Sequence, residues 1–168
     1  MPRPETIKEW KDYLKDILDA SQFMVLATSN GSDMWVCPVY FAYDDSFMFF
    51  FLSKPSSRHM QNIAENSEVA CAIFDPLQHN VGKVRGVQVA GQAHKVEASE
   101  AKHAFDTYFA HSHTRTPVSP RGGPLLHIGD HSDWWLMKII PSNIECFDEH
   151  VFHGKEVIPQ GVYKRSTS

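Results

Sequence analysis

Residues 47–52 read Phe-Met-Phe-Phe-Phe-Leu, an unbroken apolar run with Asp44-Asp45-Ser46 before it and Pro55 after it. A run this short between turn signals is a strand, and a strand sends alternate side chains to opposite faces. Both faces of this one are apolar, so both must be covered. In a chain of 168 residues, one face can fill a barrel interior while the other needs a helix or a second subunit. The run is thus the first indication of a dimer.

The neighbouring segments extend the pattern. Residues 5–20 form an amphipathic helix, with Ile7, Trp10, Leu14, Ile17 and Leu18 at steps of three and four. Phe23 to Ala27 and Trp35 to Tyr43 are apolar runs separated by Asn30-Gly31, a dipeptide suited to tight turns. With 47–53 they predict an antiparallel meander. Pro38 lies inside the second run and implies an edge, a bulge or a gap in pairing, since proline gives the ladder no N–H. A short helix is expected over 56–66, capped by Ser56 or Ser57, followed by strands over 68–75 and 85–97, with Gly91 marking a bulge or bend. A third helix opens at Ser99, with Ala101, Ala104, Phe105, Tyr108 and Phe109 on one stripe. Residues 111–130 are a long loop. Two closing strands, 133–140 and 144–147, flank Pro141. No repeat or composition shift divides the chain, so one domain over 1–168 is expected, with a polar tail from about 164.

Composition excludes several function classes. The 20 acidic residues outnumber the 16 basic ones, which disfavours general nucleic-acid binding. No apolar run is long enough to cross a bilayer, and MPRPETIKEWKD has no apolar signal core. Cys37, Cys71 and Cys146 are an odd number without metal-ligand spacing. A reduced, cytoplasmic, soluble protein without membrane partners is the expectation. Five of the ten histidines, His103, His111, His113, His127 and His131, crowd 103–131, but without an ordered ligand pattern they read as solvated rather than metal-binding. Neither a G-x-S-x-G elbow nor a glycine-rich phosphate loop after a strand is present. No catalytic residue is singled out, so a reactive group would be borrowed from a cofactor.

The junction Phe51-Leu52-Ser53-Lys54-Pro55-Ser56-Ser57-Arg58-His59 carries the most chemistry. A strand ends, proline breaks it, and a helix opens with hydroxyls, a guanidinium and an imidazole in its first turn. Free N–H groups and the helix dipole attract phosphate there. Ser57 can add a hydroxyl and Arg58 a two-pronged grip. Plain capping by serine with a solvated arginine is an equally good reading of that spacing.

The order of these elements, with VCPVYFAYDDSFMFFFLSKPSSRHMQNIAENSEVACAIFD, RGVQVAGQAHKVE and WWLMKIIPSNIECFD, resembles the pyridoxamine 5′-phosphate oxidase-like family of FMN-binding split β-barrels. SSRHMQNI, RGVQVAG and FDEHVFHGKEVI look especially like a bacterial subgroup of that family. The likeness covers roughly residues 6–150. It implies a mainly β fold with flanking helices, a six- to seven-stranded antiparallel split barrel, and a homodimer holding FMN at the subunit interface. It further implies that Ser57, Arg58 and His59 grip the FMN phosphate above Phe51, Leu52 and Ser53. Cys37, Pro38, Val39 and Tyr40 would border the flavin ring, and Trp134 or Trp135 would approach it from the partner subunit. Departures exist. The true oxidase has basic residues where His59, Val36 and Phe41 stand and a glutamine where Gly86 stands. An FMN-dependent oxidoreductase acting on a small molecule is therefore expected, but not pyridoxamine phosphate oxidation. The alternative is a non-catalytic split-barrel binding protein for FMN, haem or another ligand.

Overall fold

Thr6 accepts the backbone N–H of Glu9 while the Glu9 carboxylate accepts that of Thr6, a reciprocal box that starts helix α1 (Ile7–Leu18). Its buried face is Trp10, Tyr13, Leu14, Ile17 and Leu18. Ile7, expected in that stripe, is largely exposed. Tyr13 joins it instead, because its hydroxyl donates to the buried Asp148 Oδ2 at 2.5 Å.

The computed structural model describes residues 3–78, 84–110 and 134–163. After α1 come β1 (Phe23–Ser29), β2 (Met34–Tyr40), β3 (Ala42–Tyr43), β4 (Phe49–Ser53), α2 (Arg58–Glu65), β5 (Glu68–Phe74) and β6 (Arg85–Lys95). Then follow α3 (Ala101–Ala110), β7 (Trp135–Asp148), β8 (Gly154–Val157) and α4 (Gln160–Tyr163). The strands form one antiparallel sheet in the order β2-β1-β5-β6-β7-β4-β3, with β8 on β7. Its two ends, β2 and β3, are consecutive in the chain with only Phe41 between them. The sheet therefore curls back on itself into a split barrel.

Strand alternation fills the inside. Met24 and Leu26 of β1, Ile73 of β5, Val87 and Val89 of β6 and Phe49 and Phe51 of β4 meet α1 in one core. Strand β4 is buried at every position, as its two-sided apolar run requires. Its outer side chains, Phe50 and Leu52, pack with Ala104 and Tyr108 of α3 and with Leu136. A helix of the same chain thus covers the face that suggested a dimer, so the 47–52 run is no evidence for a second subunit. On α3, Ala101 is exposed and Phe105 and Phe109 are half-buried, leaving Ala104 and Tyr108 as the inward pair.

Three local expectations are corrected. Strand β4 starts at Phe49 rather than Phe47, because Asp44 Oδ1 accepts from Ser46 N, Ser46 Oγ and Met48 N and extends the turn, with Phe47 at φ +56°. Pro141 does not separate two strands. It lies within β7, past the stretch 135–139 paired with β4 and before the stretch 145–148 paired with β8, so no ladder needs its missing N–H on that edge. The 35–43 run is not one strand of a meander: a break at Phe41 divides it into β2 and β3, and β4 pairs with β3 and β7 rather than with β2. Strand β8 and helix α4 were not legible in the sequence. The bulge expected at Gly91 is present as a register shift between Ala90 and Gly91 opposite Pro141. Pro38 lies on β2, the outermost strand of its side of the sheet.

Candidate functional site

The turn after β4 is tied by the Lys54 carbonyl, which accepts both the Ser57 N–H at 2.9 Å and the Ser57 hydroxyl at 2.7 Å. Ser57 is therefore the residue before α2, but its side chain caps none of the helix's backbone N–H groups. The opening N–H groups of α2 lack the side-chain acceptor that a serine in that place usually supplies. Together with the dipole they form a donor-rich, electropositive end.

Beneath that turn, Ser53, Ser57 and His59 meet. Ser53 and His59 are both buried, and the Ser53 Oγ lies 2.5 Å from His59 Nε2. Ser57 Oγ is 3.2 Å from the same nitrogen and 3.3 Å from Ser53 Oγ. Burial holds the His59 pKa below the usual imidazole value, favouring the neutral ring. Buried Asn62, one turn on, donates to Thr28 Oγ1 of β1 at 3.2 Å and fixes the helix on the barrel.

Arg58 points the other way. Its guanidinium pairs with Asp33 and lies 4.2 Å from the centre of the Trp35 ring. The β1–β2 turn sets that partner in place: Asn30 Oδ1 accepts the Asp33 N–H at 2.8 Å, and Gly31 takes φ +95°, where glycine avoids a Cβ clash. Asp33 and Trp35 were not among the residues the sequence suggested. Nothing in the sequence joins position 33 to position 58; only the pairing of β1 with β2 and the packing of α2 do.

The remaining predicted residues divide into two groups. Phe51 is in the barrel core and Leu52 lies under α3, so both support the site from below. Trp135 pairs with Ser53 across β4–β7, with Lys95 Nζ 4.2 Å from its ring centre. Trp134 has the Lys54 ammonium 5.5 Å from its ring centre. Ser53, Ser57, His59 and both tryptophans thus gather at one end of the barrel. On β2, Cys37 and Val39 pack toward the core while Pro38 and Tyr40 stand exposed on the outer face. Burial raises the Cys37 pKa, so it is a thiol packing group rather than a thiolate.

That outer face continues across β1 and β5 as small apolar side chains. Val25, Ala27, Val36, Ala70, Ala72 and Ala90 line a concavity of about 370 Å³. A second hollow of about 380 Å³ adjoins it, lined by Phe23, Val25, Pro38, Phe74 and Leu77. Phe23 and Tyr40 pack ring on ring at 4.3 Å on its rim. Among the described residues, no three His, Cys, Asp or Glu side chains group as a metal site. His111, His113, His127 and His131 lie outside the described residues, and His103 faces Asp44 at 3.1 Å.

Comparison with known proteins adds the following. The family model described as pyridoxamine 5′-phosphate oxidase matches residues 10–135. A UPF0306 protein of Photorhabdus laumondii is 27% identical over 97 residues, 57% of this chain and 64% of that relative. The match thus spans less than two thirds of that relative's length. A heme binding protein from Mycobacterium smegmatis superposes with a TM-score of 0.73 at 16% identity, over 97% of this chain and 61% of that one. A FAD-binding protein from Mesorhizobium loti gives 0.57 at 17% identity, over 80% of this chain and 91% of that one. At such identities the two solved structures speak to the fold.

Proposed function

Because the chain belongs to the pyridoxamine 5′-phosphate oxidase family, we propose that it is a homodimeric flavoprotein, working in the cytoplasm, that binds FMN and moves electrons between a reductant and a small molecule. The observation that carries this reading is the start of α2, where Ser57 leaves the opening N–H groups without a side-chain acceptor. A phosphate monoester suits that place: N–H donors, the dipole and two hydroxyls converge there, and Arg58, now paired with Asp33, opens the same helix. Bound FMN would supply the redox chemistry. The chain's residues would seat its phosphate at Ser53, Ser57 and the α2 amides. Arg58 would add charge after exchanging Asp33 for the ligand. Trp134 and Trp135 would screen water from that end of the barrel.

The second copy is supported by the outer sheet face rather than by β4. Val36, Ala70 and Ala90 lie exposed on a shallow, mainly apolar face bordered by Gln88, Asn143 and Glu145, with no element of the described chain over it. A surface of this kind is what two like sheets bury against one another. The free thiols of Cys37, Cys71 and Cys146 suit a reducing compartment. No helix among the described residues is long and apolar enough to cross a membrane.

The test is titration of the purified protein with FMN, followed by flavin absorbance and fluorescence. Saturable binding of FMN with weak binding of riboflavin, which lacks the phosphate, is the expected result. A folded protein that takes up no FMN at saturating concentration overturns the reading. One observation favours a second reading, a ligand-binding protein without turnover: Arg58 is already paired with Asp33. FMN binding with no reduction by nicotinamide or other hydride donors would select it.

A further inference from the structure

The hydroxyl hydrogens of Ser53 and Ser57 are taken up by His59, by one another and by the Lys54 carbonyl as the cluster stands. The Ser57 hydroxyl hydrogen is committed to the Lys54 carbonyl at 2.7 Å. The Ser53 hydroxyl has His59 Nε2 at 2.5 Å and Ser57 Oγ at 3.3 Å as its neighbours. Two neutral arrangements satisfy the cluster: a bare Nε2 accepting from Ser53, or an Nε2–H donating to Ser53 while Ser53 donates to Ser57. In either one, no hydroxyl hydrogen is left to point at a ligand.

A phosphate seated at the α2 N-terminus changes that requirement. It accepts only, so Ser53 and Ser57 must turn their hydrogens toward it. Ser57 then releases the Lys54 carbonyl, and Ser53 can offer its oxygen to His59 only as an acceptor. Nε2 must therefore carry a hydrogen. A neutral ring with its hydrogen on Nε2 meets that need; a second hydrogen, on Nδ1, would answer the charge of a dianion one hydroxyl away.

Few charges face the ring from the elements around it. Arg58 is on its own helix and Lys54 on the preceding turn, while Asp33 of the β1–β2 turn is taken by Arg58. Lys95 of β6 sits over Trp135, and the contacts from β1 and β4, Thr28 with Asn62 and Ser53, are neutral. Among the described residues, no carboxylate pairs with His59. The free site thus disfavours a cationic ring by burial, and an arriving dianion opposes that influence.

We infer that anion capture at this site is proton-coupled: His59 is a positioning residue that takes a proton from solvent as the phosphate binds, turning Ser53 and Ser57 into donors to it. This inference rests on the FMN reading above and specifies how that site is charged. The consequence has a definite sign. His59 binds its proton more tightly in the complex than in the free chain, so affinity falls as pH rises between the two values. The loss approaches roughly tenfold per pH unit within that window.

Calorimetric titration with FMN at about pH 7.5, above the phosphate's own second ionisation near 6, in buffers of different ionisation enthalpy, counts the protons taken up. Uptake approaching one proton per FMN is expected, with a Kd that weakens toward about pH 8.5. His59→Gln should bind FMN with no uptake and a flat pH profile. Nitrogen-detected NMR of labelled histidine gives an independent readout in the unaltered chain. The His59 ring should be neutral when free and doubly protonated with FMN bound. FMN binding without proton uptake, and with a neutral His59 ring in the complex, overturns the inference and leaves the FMN reading standing. No FMN binding at any pH overturns both.

Discussion

Gly91 faces Pro141 across the β6–β7 ladder, and a Cβ at position 91 would lie 2.4 Å from the Ile140 carbonyl oxygen and 3.0 Å from the Pro141 Cα. Both obstacles are backbone, so neither can rotate away. Gly91→Ala should destabilise the fold by about 1–3 kcal/mol, the usual cost of overpacking. Urea unfolding followed by tryptophan fluorescence checks this. Gly31→Ala meets open space but sits at positive φ, so its smaller loss would be conformational.

Asp44 contributes to the acid limb of stability. Burial pushes its carboxyl up, but hydrogen bonds from Ser46, Met48 and His103 outweigh that and hold its pKa below the ordinary 3.8. A carboxylate with a lowered folded pKa stabilises above its unfolded value and loses that contribution as pH falls through the folded one. Asp44→Asn should be less stable than the native chain at neutral pH. The gap should close below about pH 4, seen by denaturant titrations at several pH values.

Arg58 and Asp33 should act in opposite directions on FMN affinity. Arg58→Ala removes a charge-assisted contact and should weaken binding by about 1.5 kcal/mol, the low end for such bonds because the side chain is half-exposed. Asp33→Asn frees the guanidinium from its competitor and should tighten binding. Fluorescence titration of both variants decides the point, and equal affinities throughout would show that the arginine never leaves Asp33.

Ala70→Glu probes the outer sheet face. Ala70 is exposed and pairs with Ala27 and Ala90 on neighbouring strands, so the folded subunit can accept a longer polar side chain. Its charge would be buried between two sheets. Sedimentation velocity should show a dimer for the native chain and monomers for the variant, both with native circular dichroism.

Much of this architecture was legible because single residues carried strong geometric constraints. Pro38 pointed to an edge, a bulge or a gap in pairing and stands on an edge strand, Gly91 marked a bulge or bend, and Asn30-Gly31 a tight reversal. Pro141 misled for the same reason: its missing N–H signals a break only where a partner strand needs it, and the gap between β4 and β8 removes that need. At the site, the sequence placed Ser57, Arg58 and His59 on one helical turn but not their directions. The Arg58 pairing with Asp33 depends on the packing of α2 against β1 and β2, and the burial of His59 on Ser53 at the end of β4. Local pattern holds neither. The covering of Phe50 by α3 likewise joins segments far apart in the chain.

Phe41 has a further role as the clasp of a closed hoop. It is buried, and one peptide unit on either side lie Tyr40, paired with Phe23, and Ala42, paired with Phe50. A shift of α3 on its seat beside β3 and β4 would therefore tug directly on the strand that carries Cys37 to Tyr40. The two ends of the sheet would then move together through a single phenylalanine.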